Sequence, residues 1–233
     1  MLKITYLFHS GFLAETDECS YVFDYYSHGL EDAELNVQKP VIVLASHFHA
    51  DHYDPAVFGI LDGRGVRCAA AVLSKDIKPS RYPHGVEVIK AYSHNEYELP
   101  SEARLRTLLS TDSGVAYLLD TGSSVIYHAG DLNDWSNASM TEQQRRQMRG
   151  SFRYEIEELR GVRIDAAFVP FDPHLGDDYA NGALTLLETA DVCALYPMHY
   201  WQQPEIIERF RTEYPQYSEI IHDTENTKGE IIC

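Results

Sequence analysis

A cluster of four potential metal ligands constrains the fold of this chain more than any other feature. Residues 47–52 read His-Phe-His-Ala-Asp-His and follow directly after the apolar run Val41-Ile42-Val43-Leu44-Ala45. That run is rich in β-branched residues and predicts a buried strand, so the ligands begin where the strand ends and a loop opens. Imidazole nitrogens and a carboxylate suit zinc, iron or manganese. We therefore predict a metal site at this strand end, with surface histidines on a polar strand end as the alternative.

The spacing of the four ligands favours two ions over one. His47 and His49 alternate as two ligands on one face of an extended segment would. Asp51 and His52 fall in the turn that follows, from which their side chains can reach a second ion.

Later segments extend this pattern into a resemblance to a known superfamily. The motif H-x-H-x-D-H is typical of metallo-β-lactamase-fold hydrolases, which usually have a later Asp, often after a Gly, and a final His near the C-terminus. Here Gly130-Asp131 follows the strand-like Ser124–Tyr127, and His199 follows another short apolar run. The segment Ile4–Phe12 resembles the opening of the ascorbate-6-phosphate lactonase-like branch. The resemblance covers roughly residues 1–210.

This resemblance implies a fold class and a ligand set. The fold is an α/β (α+β) four-layer αββα sandwich of two mixed β-sheets flanked by helices. The first ion would be held by His47 and His49, the second by Asp51, His52 and His199, and Asp131 would bridge them. Such ions lower the pKa of bound water from about 15.7 toward ~7, which generates a hydroxide nucleophile. Asp51 is also a candidate general base if only one ion binds.

The chain departs from the superfamily at one ligand. A third histidine usually joins the first ion between the motif and the Gly-Asp, but Thr107–Gly114 contains none. His94 lies in a turn-like stretch before the relevant strand, and we interpret it as a surface loop residue. Asp112 is the candidate replacement ligand, with a water ligand or a turn-capping role for Asp112 as alternatives. We expect the first site to bind its ion weakly or to be empty.

Four other residues are candidates for contacts with the ligands or the substrate. Asp24 follows a strand-like segment and is the leading candidate to orient a ligand histidine. His9, His128 and His174 adjoin segments that match the superfamily or border the expected cleft. A structural or loop histidine is the alternative for each of the three.

The order of predicted elements agrees with a layered fold. Strands dominate the first half and helices alternate with strands in the second, which suits two packed sheets with helices outside. Val115–Asp120 and Val125–His128 predict a hairpin. Ser139-Met140-Thr141-Glu142 predicts a capping box that begins a helix ending at about Arg160. Two further helices are predicted at Asn181–Ala190 and Pro204–Tyr214. We expect a single domain over residues 1–233.

Charge and cysteine content narrow the class of partner. Nineteen Lys and Arg against thirty-six Asp and Glu give a net charge of −17, which disfavours nucleic acid and anionic membranes as partners. The four cysteines are scattered and lack C-x-x-C spacing, so they predict reduced thiols in the cytoplasm. We expect a small-molecule substrate, no nucleic-acid or membrane partner, and either a monomer or a homo-oligomer.

The sequence therefore predicts a metal-dependent hydrolase that is lactonase- or phosphodiesterase-like. The substrate is expected to be a small ester, lactone or phosphodiester, and the cofactor two divalent ions, zinc before manganese or iron. One alternative is a nuclease on the same fold, which the charge disfavours. A second is an iron-bearing oxidoreductase, which the identity of the bound metal would distinguish. A third is a catalytically degenerate metal-binding protein, which the missing histidine favours.

Overall fold

Two mixed β-sheets form the centre of the molecule in a computed structural model that describes residues 1–232. In chain order the strands are β1 Leu2–Phe8, β2 Gly11–Glu15, β3 Ser20–Phe23, β4 Val41–Ala45, β5 Cys68–Ser74, β6 Val88–Ala91, β7 Glu96–Glu98, β8 Arg104–Leu109, β9 Val115–Asp120, β10 Val125–His128, β11 Arg163–Ile164, β12 Ala166–Pro170, β13 Asp191–Val192, β14 Leu195–Met198 and β15 Lys228–Ile232. The α-helices are α1 Ala56–Gly63, α2 Glu142–Glu157, α3 Asn181–Thr189 and α4 Glu205–Glu213.

The strand order places several parallel strands side by side in each sheet. The seven-stranded sheet has the order β15-β1-β2-β3-β4-β5-β6, and β3, β4, β5 and β6 are parallel neighbours. The six-stranded sheet has the order β14-β12-β10-β9-β8-β7, and β10, β12 and β14 are parallel neighbours. A short pair, β11 with β13, stands apart from both. Parallel neighbours end at the same edge of a sheet, so loops that follow these strands meet on one rim.

The two sheets pack face to face through buried aromatic side chains. Phe12 of β2 stacks on Phe168 of β12, with ring centroids 4.0 Å apart and planes 14° apart. The Tyr117 hydroxyl of β9 donates a 2.7 Å hydrogen bond to the Ala45 carbonyl of β4. Stacked aromatic pairs contribute about 0.5–1.5 kcal/mol beyond the area they bury. These contacts fix how the rim of one sheet lies against the rim of the other.

Helices cover the outer faces of both sheets. Val57 and Leu61 of α1 pack with Val41 and Val43 on the outside of the seven-stranded sheet. Apolar side chains of the other three helices join the main hydrophobic core, which contains residues of both sheets; they are Phe152, Ile156, Ala183, Leu186, Ile206, Ile207 and Phe210. The predicted αββα class is therefore confirmed. Within residues 1–232, none of the helices is both long and apolar enough to cross a membrane.

The start of α2 corrects one sequence prediction. The capping box is formed by Thr141 and Gln144, not by Ser139 and Glu142. The Thr141 hydroxyl accepts from the Gln144 backbone N–H at 3.3 Å, and the Gln144 side-chain oxygen accepts from the Thr141 N–H at 2.9 Å. Both segments match the same pattern, so the sequence alone did not separate them.

Three of the four cysteines lie in the described part of the chain. Cys19, Cys68 and Cys193 are free thiols. Burial raises the pKa of both Cys19 and Cys68 to about 11, which makes them poor nucleophiles near neutral pH. Cys233, the fourth residue of the reduced-thiol prediction, lies outside the described residues.

Candidate metal centre

Two groups of potential ligands meet on the shared rim of the sheets. In each group the candidate ligand atoms all lie within 4.8 Å of one another. The first group consists of His47, His49, Asp112 and Asp131. The second group consists of His9, Asp51, His52 and His199. The structure thus brings together all six residues of the expected ligand set and adds the candidate replacement Asp112 and the candidate lining residue His9.

The carboxylate of Asp131 faces both groups. Its Oδ2 lies 3.4 Å from His47 Nε2 in the first group. Its Oδ1 lies 3.2 Å from His52 Nε2 and 3.7 Å from His199 Nε2 in the second. One carboxylate with an oxygen toward each group is the arrangement that a bridging ligand requires.

The loop after β4 divides its ligands between the two groups. Ser46 begins the loop, and its backbone N–H donates to Asp24 Oδ1 at 2.7 Å. His47 Nε2 and His49 Nδ1 lie 3.0 Å apart and face the first group. The His49 carbonyl accepts from the His52 N–H at 3.2 Å, which closes a turn and carries Asp51 and His52 to the second group.

Two glycines allow the opposite sheet to approach this loop. Gly130 precedes Asp131, has φ 52°, and a Cβ there would lie 2.7 Å from the Ser46 Cβ. Gly114 follows Asp112 closely, has φ 70°, and a Cβ there would lie 2.0 Å from the Ser46 carbonyl oxygen. A side chain at either position would clash and would also strain the left-handed backbone. The glycines therefore set the distance between ligands contributed by different sheets.

Buried carboxylates orient two of the ligand histidines. Asp24 Oδ2 lies 2.7 Å from His52 Nδ1, as expected for the leading orienting candidate. Asp172 Oδ2 lies 3.1 Å from His199 Nδ1 and plays the same part for the last ligand. Each contact leaves Nε2 pointing toward the centre, and such contacts fix the tautomer and the ring orientation.

The sequence analysis did not name Asp172, although it named its neighbour His174. The structure turns His174 outward, with 70% of its side chain exposed, and its Nδ1 lies 2.8 Å from Asp172 Oδ1. A signal was present, because Asp172 follows the apolar strand β12 as Asp24 follows β3. The adjacency of β12 and β14, which brings Asp172 to His199, was not visible in the sequence.

His128 lies beneath the centre and holds the backbone next to it in place through hydrogen bonds. The side chain is fully buried, with Nε2 2.8 Å from the Ser10 carbonyl oxygen. Its Nδ1 accepts a 3.0 Å hydrogen bond from the Gly130 N–H. Both ring nitrogens are therefore engaged with the backbone, which places His128 in a supporting position and away from any substrate.

His94 lies outside both groups. Its Nε2 is 2.8 Å from Glu155 Oε2 on α2, and half of its side chain is exposed. This position agrees with the interpretation of His94 as a surface residue. Asp112, in contrast, lies beside His47 and His49 and is the candidate for the position of the missing third histidine. Asp112 Oδ2 lies 3.7 Å from His49 Nδ1.

Unpartnered buried atoms show that the groups fit a divalent cation. His9 Nε2, His52 Nε2 and Asp131 Oδ1 are buried and make no hydrogen bond of normal geometry, although the last two form an ion pair 3.2 Å apart. A buried polar atom without a partner costs about 1–3 kcal/mol, so three at one point call for a ligand. Imidazole nitrogens with carboxylate oxygens form a donor set for zinc, manganese or iron.

The ionisation state differs between the candidate ligands, and His52 must lose a proton before it can bind a cation. Burial lowers the pKa of His47 to about 4, which keeps its ring neutral and able to bind metal. Burial alone would lower the pKa of His52, but the Asp131 and Asp24 carboxylates outweigh it and raise that pKa well above its ordinary value. Burial opposes ionisation of Asp131, yet the neighbouring histidines hold its pKa well below the usual range. In the metal-free centre, a protonated His52 therefore lies between the charged carboxylates of Asp24 and Asp131.

Comparisons with known proteins agree with the fold. A family model described as beta-lactamase superfamily domain matches residues 3–149. A UPF0173 metal-dependent hydrolase of Desulforamulus reducens is 26% identical over 225 residues, covering 88% of this chain and 87% of the relative.

Two solved structures share the fold at low sequence identity. Igni18, a metallo hydrolase of Ignicoccus hospitalis, superposes with a TM-score of 0.68 at 19% identity and covers 98% of this chain and 96% of its own. CmlA, a diiron beta-hydroxylase of Streptomyces venezuelae, has a TM-score of 0.58 at 14% identity, covering 85% of this chain and 44% of CmlA.

Proposed function

Because this chain belongs to the beta-lactamase superfamily, we propose that it is a metal-dependent hydrolase acting on a small ester, lactone or phosphodiester. The observation that carries the proposal is the position of Asp131, whose two carboxylate oxygens face two separate ligand groups. The curated relative from Desulforamulus reducens is named a metal-dependent hydrolase, which supports the reaction class. The net charge of −17 supports a small molecule over a nucleic acid as the substrate.

The proposed chemistry divides between the ions and the side chains. Two bound divalent ions would supply a hydroxide nucleophile at neutral pH and polarise the substrate oxygen. His47, His49 and Asp112 would hold one ion, Asp51, His52 and His199 would hold the other, and Asp131 would contact both. Asp24 and Asp172 would keep His52 and His199 in the tautomer that presents Nε2.

Asp51 is better suited to holding metal than to accepting a proton. Its contact with His9, 3.5 Å away, holds the pKa of the carboxyl well below its usual range. A general base is most effective when its pKa lies near the working pH, and a carboxylate with a depressed pKa is a weak proton acceptor. We therefore assign Asp51 to the second group as a ligand and not as the general base.

A second candidate function follows from the oxygen ligand in the first group. Asp112 stands where a nitrogen ligand was expected, and a more oxygen-rich site suits manganese or iron better than zinc. CmlA, which has the same fold, is named a diiron hydroxylase. An iron-bearing oxidoreductase is therefore the alternative to a zinc hydrolase.

Metal analysis followed by turnover tests this proposal. Protein purified without chelator would be assayed for metal content, then reloaded separately with Zn²⁺, Mn²⁺ and Fe²⁺. Each form would be tested on p-nitrophenyl acetate, a γ-lactone and bis(p-nitrophenyl) phosphate. We expect turnover of at least one probe class that disappears on chelation and returns with metal. No turnover of any probe by fully loaded protein would contradict the hydrolase, and dioxygen consumption by the iron form alone would favour the oxidoreductase.

A further inference from the structure

We propose that His9, at the turn between β1 and β2, is a ligand of the second ion in addition to Asp51, His52, His199 and the shared Asp131. The inference deepens the proposed function and rests on its premise that a divalent ion binds at this centre. It assigns to the N-terminal hairpin a direct part in holding metal.

The position of the His9 side chain carries the inference. Nε2 lies 3.5 Å from Asp51 Oδ2, and the ring centroid lies 4.4 Å from that of His199. Only 5% of the side chain is exposed, and Nε2 is buried without a hydrogen-bond partner. The distance to Asp51 exceeds the ~2.7–3.2 Å of a normal N–H···O hydrogen bond. Two ligand-type atoms at this separation are able to bind the same ion from neighbouring directions.

The backbone holds His9 in an unfavourable conformation at this point. Its φ is 56°, in the left-handed region that residues other than glycine adopt uncommonly. The His9 carbonyl accepts a 3.2 Å hydrogen bond from the His199 N–H, which ties the hairpin to the last ligand. Strained backbone of this kind costs about 1–3 kcal/mol and concentrates at functional sites. The conformation aims the imidazole into the second group.

A purely structural histidine does not account for these contacts. The structural His128 uses both ring nitrogens in hydrogen bonds to the backbone. His9 instead packs its ring edge against Trp201, with centroids 4.7 Å apart, and leaves Nε2 free toward the other ligands. Packing against Trp201 fixes the ring, and Nε2 points toward the other candidate ligands, as the nitrogen of a metal ligand does.

Asparagine is the best replacement for testing His9. Asn and Asp tolerate the left-handed backbone as His does, so His9→Asn removes the imidazole without adding backbone strain. His9→Asp keeps an ionisable ligand at the same position. His84→Asn is the matched control, since His84 is exposed and lies outside both ligand groups. Melting of the chelated proteins would show whether the three variants fold like the unaltered chain.

Zinc titration against a competing chelator is the primary measurement. We expect His9→Asn to weaken the tighter of the two binding steps by at least ~10-fold, a loss typical even of an indirect metal contact. His9→Asp should recover part of that loss, and His84→Asn should bind as the unaltered chain does. Unchanged zinc affinity in His9→Asn would overturn the proposal.

A second measurement uses the unaltered chain and avoids any folding defect of the variants. In ¹⁵N-histidine-labelled protein, zinc addition should shift the Nε2 resonance of His9 together with those of His52 and His199. An Nε2 resonance of His9 that stays at its metal-free position at saturating zinc would also overturn the proposal. Tight zinc binding that depends on His9, without hydrolysis of any probe, would leave this inference standing and reject the proposed hydrolase.

Discussion

The carboxylate of Asp131 faces both ligand groups, but the groups differ in burial and in the contacts that orient their ligands. In the first group, His49 is 40% exposed and Asp112 is 47% exposed. In the second group, His52 is fully buried and His199 is 7% exposed. Nδ1 of each of these histidines contacts a buried carboxylate. Buried and oriented ligands lose less freedom when an ion binds. If two ions bind, this difference predicts a firmly held ion in the second group and a labile ion in the first, because neighbouring carboxylates support the second group.

Removal of Asp131 should have the largest effect because its carboxylate faces both groups. We expect Asp131→Ala to reduce metal content toward zero and to abolish hydrolysis, a loss larger than the ~10–100-fold typical of an orienting partner. Elemental analysis and turnover would be measured side by side. Asp120→Ala, at an exposed strand end, is the control. Retention of two equivalents of metal by Asp131→Ala would contradict the shared ligand.

Removal of an orienting carboxylate should affect the second group selectively. Asp24→Asn keeps the shape of a fully buried side chain but weakens its contact with His52 Nδ1. We expect the firm ion to bind ~10–100-fold more weakly. The labile ion should change less, because Asp24 reaches its ligand His47 only through the Ser46 hydroxyl. Zinc titration would resolve the two steps. Weakening of the labile step alone would reverse our assignment of firm and labile sites.

The fold class and the clustering of the six expected ligand residues could be predicted because they depend on recognisable local patterns. Residues 47–52 carry their candidate ligands at fixed spacing after a recognisable strand. Asp131 likewise follows a recognisable strand. The contacts of Asp172 and His9 could not be predicted, since they depend on which strands become neighbours and on how β1 turns into β2. The short helix α1 and the strand β15 were not predicted either. The position of Asp112 was named but left open, and its place in the first group depends on the close approach permitted by Gly114.

Acidification to pH 5 should cost the metal-free protein about 2 kcal/mol of stability through the buried His47. Burial lowers the pKa of His47 from 6.5 to about 4, so the unfolded chain binds this proton more readily and stability falls as the pH drops below 6.5. His52 has a raised pKa, so its contribution is complete below 6.5 and is lost as the pH rises through the folded value.

Two variants measure these opposite contributions. His47→Gln should reduce the loss of stability that occurs between pH 6.5 and pH 5. His52→Gln should lower the stability more at pH 5 than at pH 8. Urea unfolding of chelated protein at each pH gives both differences. Parallel pH dependence in the two variants would reject the assigned ionisation.

Restoring a nitrogen ligand to the first group should have the smallest effect. Asp112→His replaces the exposed carboxylate with the residue that the superfamily pattern leads one to expect there. We expect the labile zinc ion to bind about 10-fold more tightly, equivalent to about 1.4 kcal/mol, while the firm ion is unchanged. Asp112→Asn should weaken the same step. Equal zinc affinity in all three forms would show that Asp112 is not a ligand.

The ligands also come from both sheets, and this has a mechanical consequence. His52 follows β4 of the seven-stranded sheet, whereas Asp131 and His199 follow β10 and β14 of the six-stranded sheet. An ion bound among them is a non-covalent cross-link across the seam of the sandwich. Separation of the two sheets would require release of the ion, whereas fraying within one sheet would not. The cofactor proposed for hydrolysis would therefore also govern how long the sandwich stays closed.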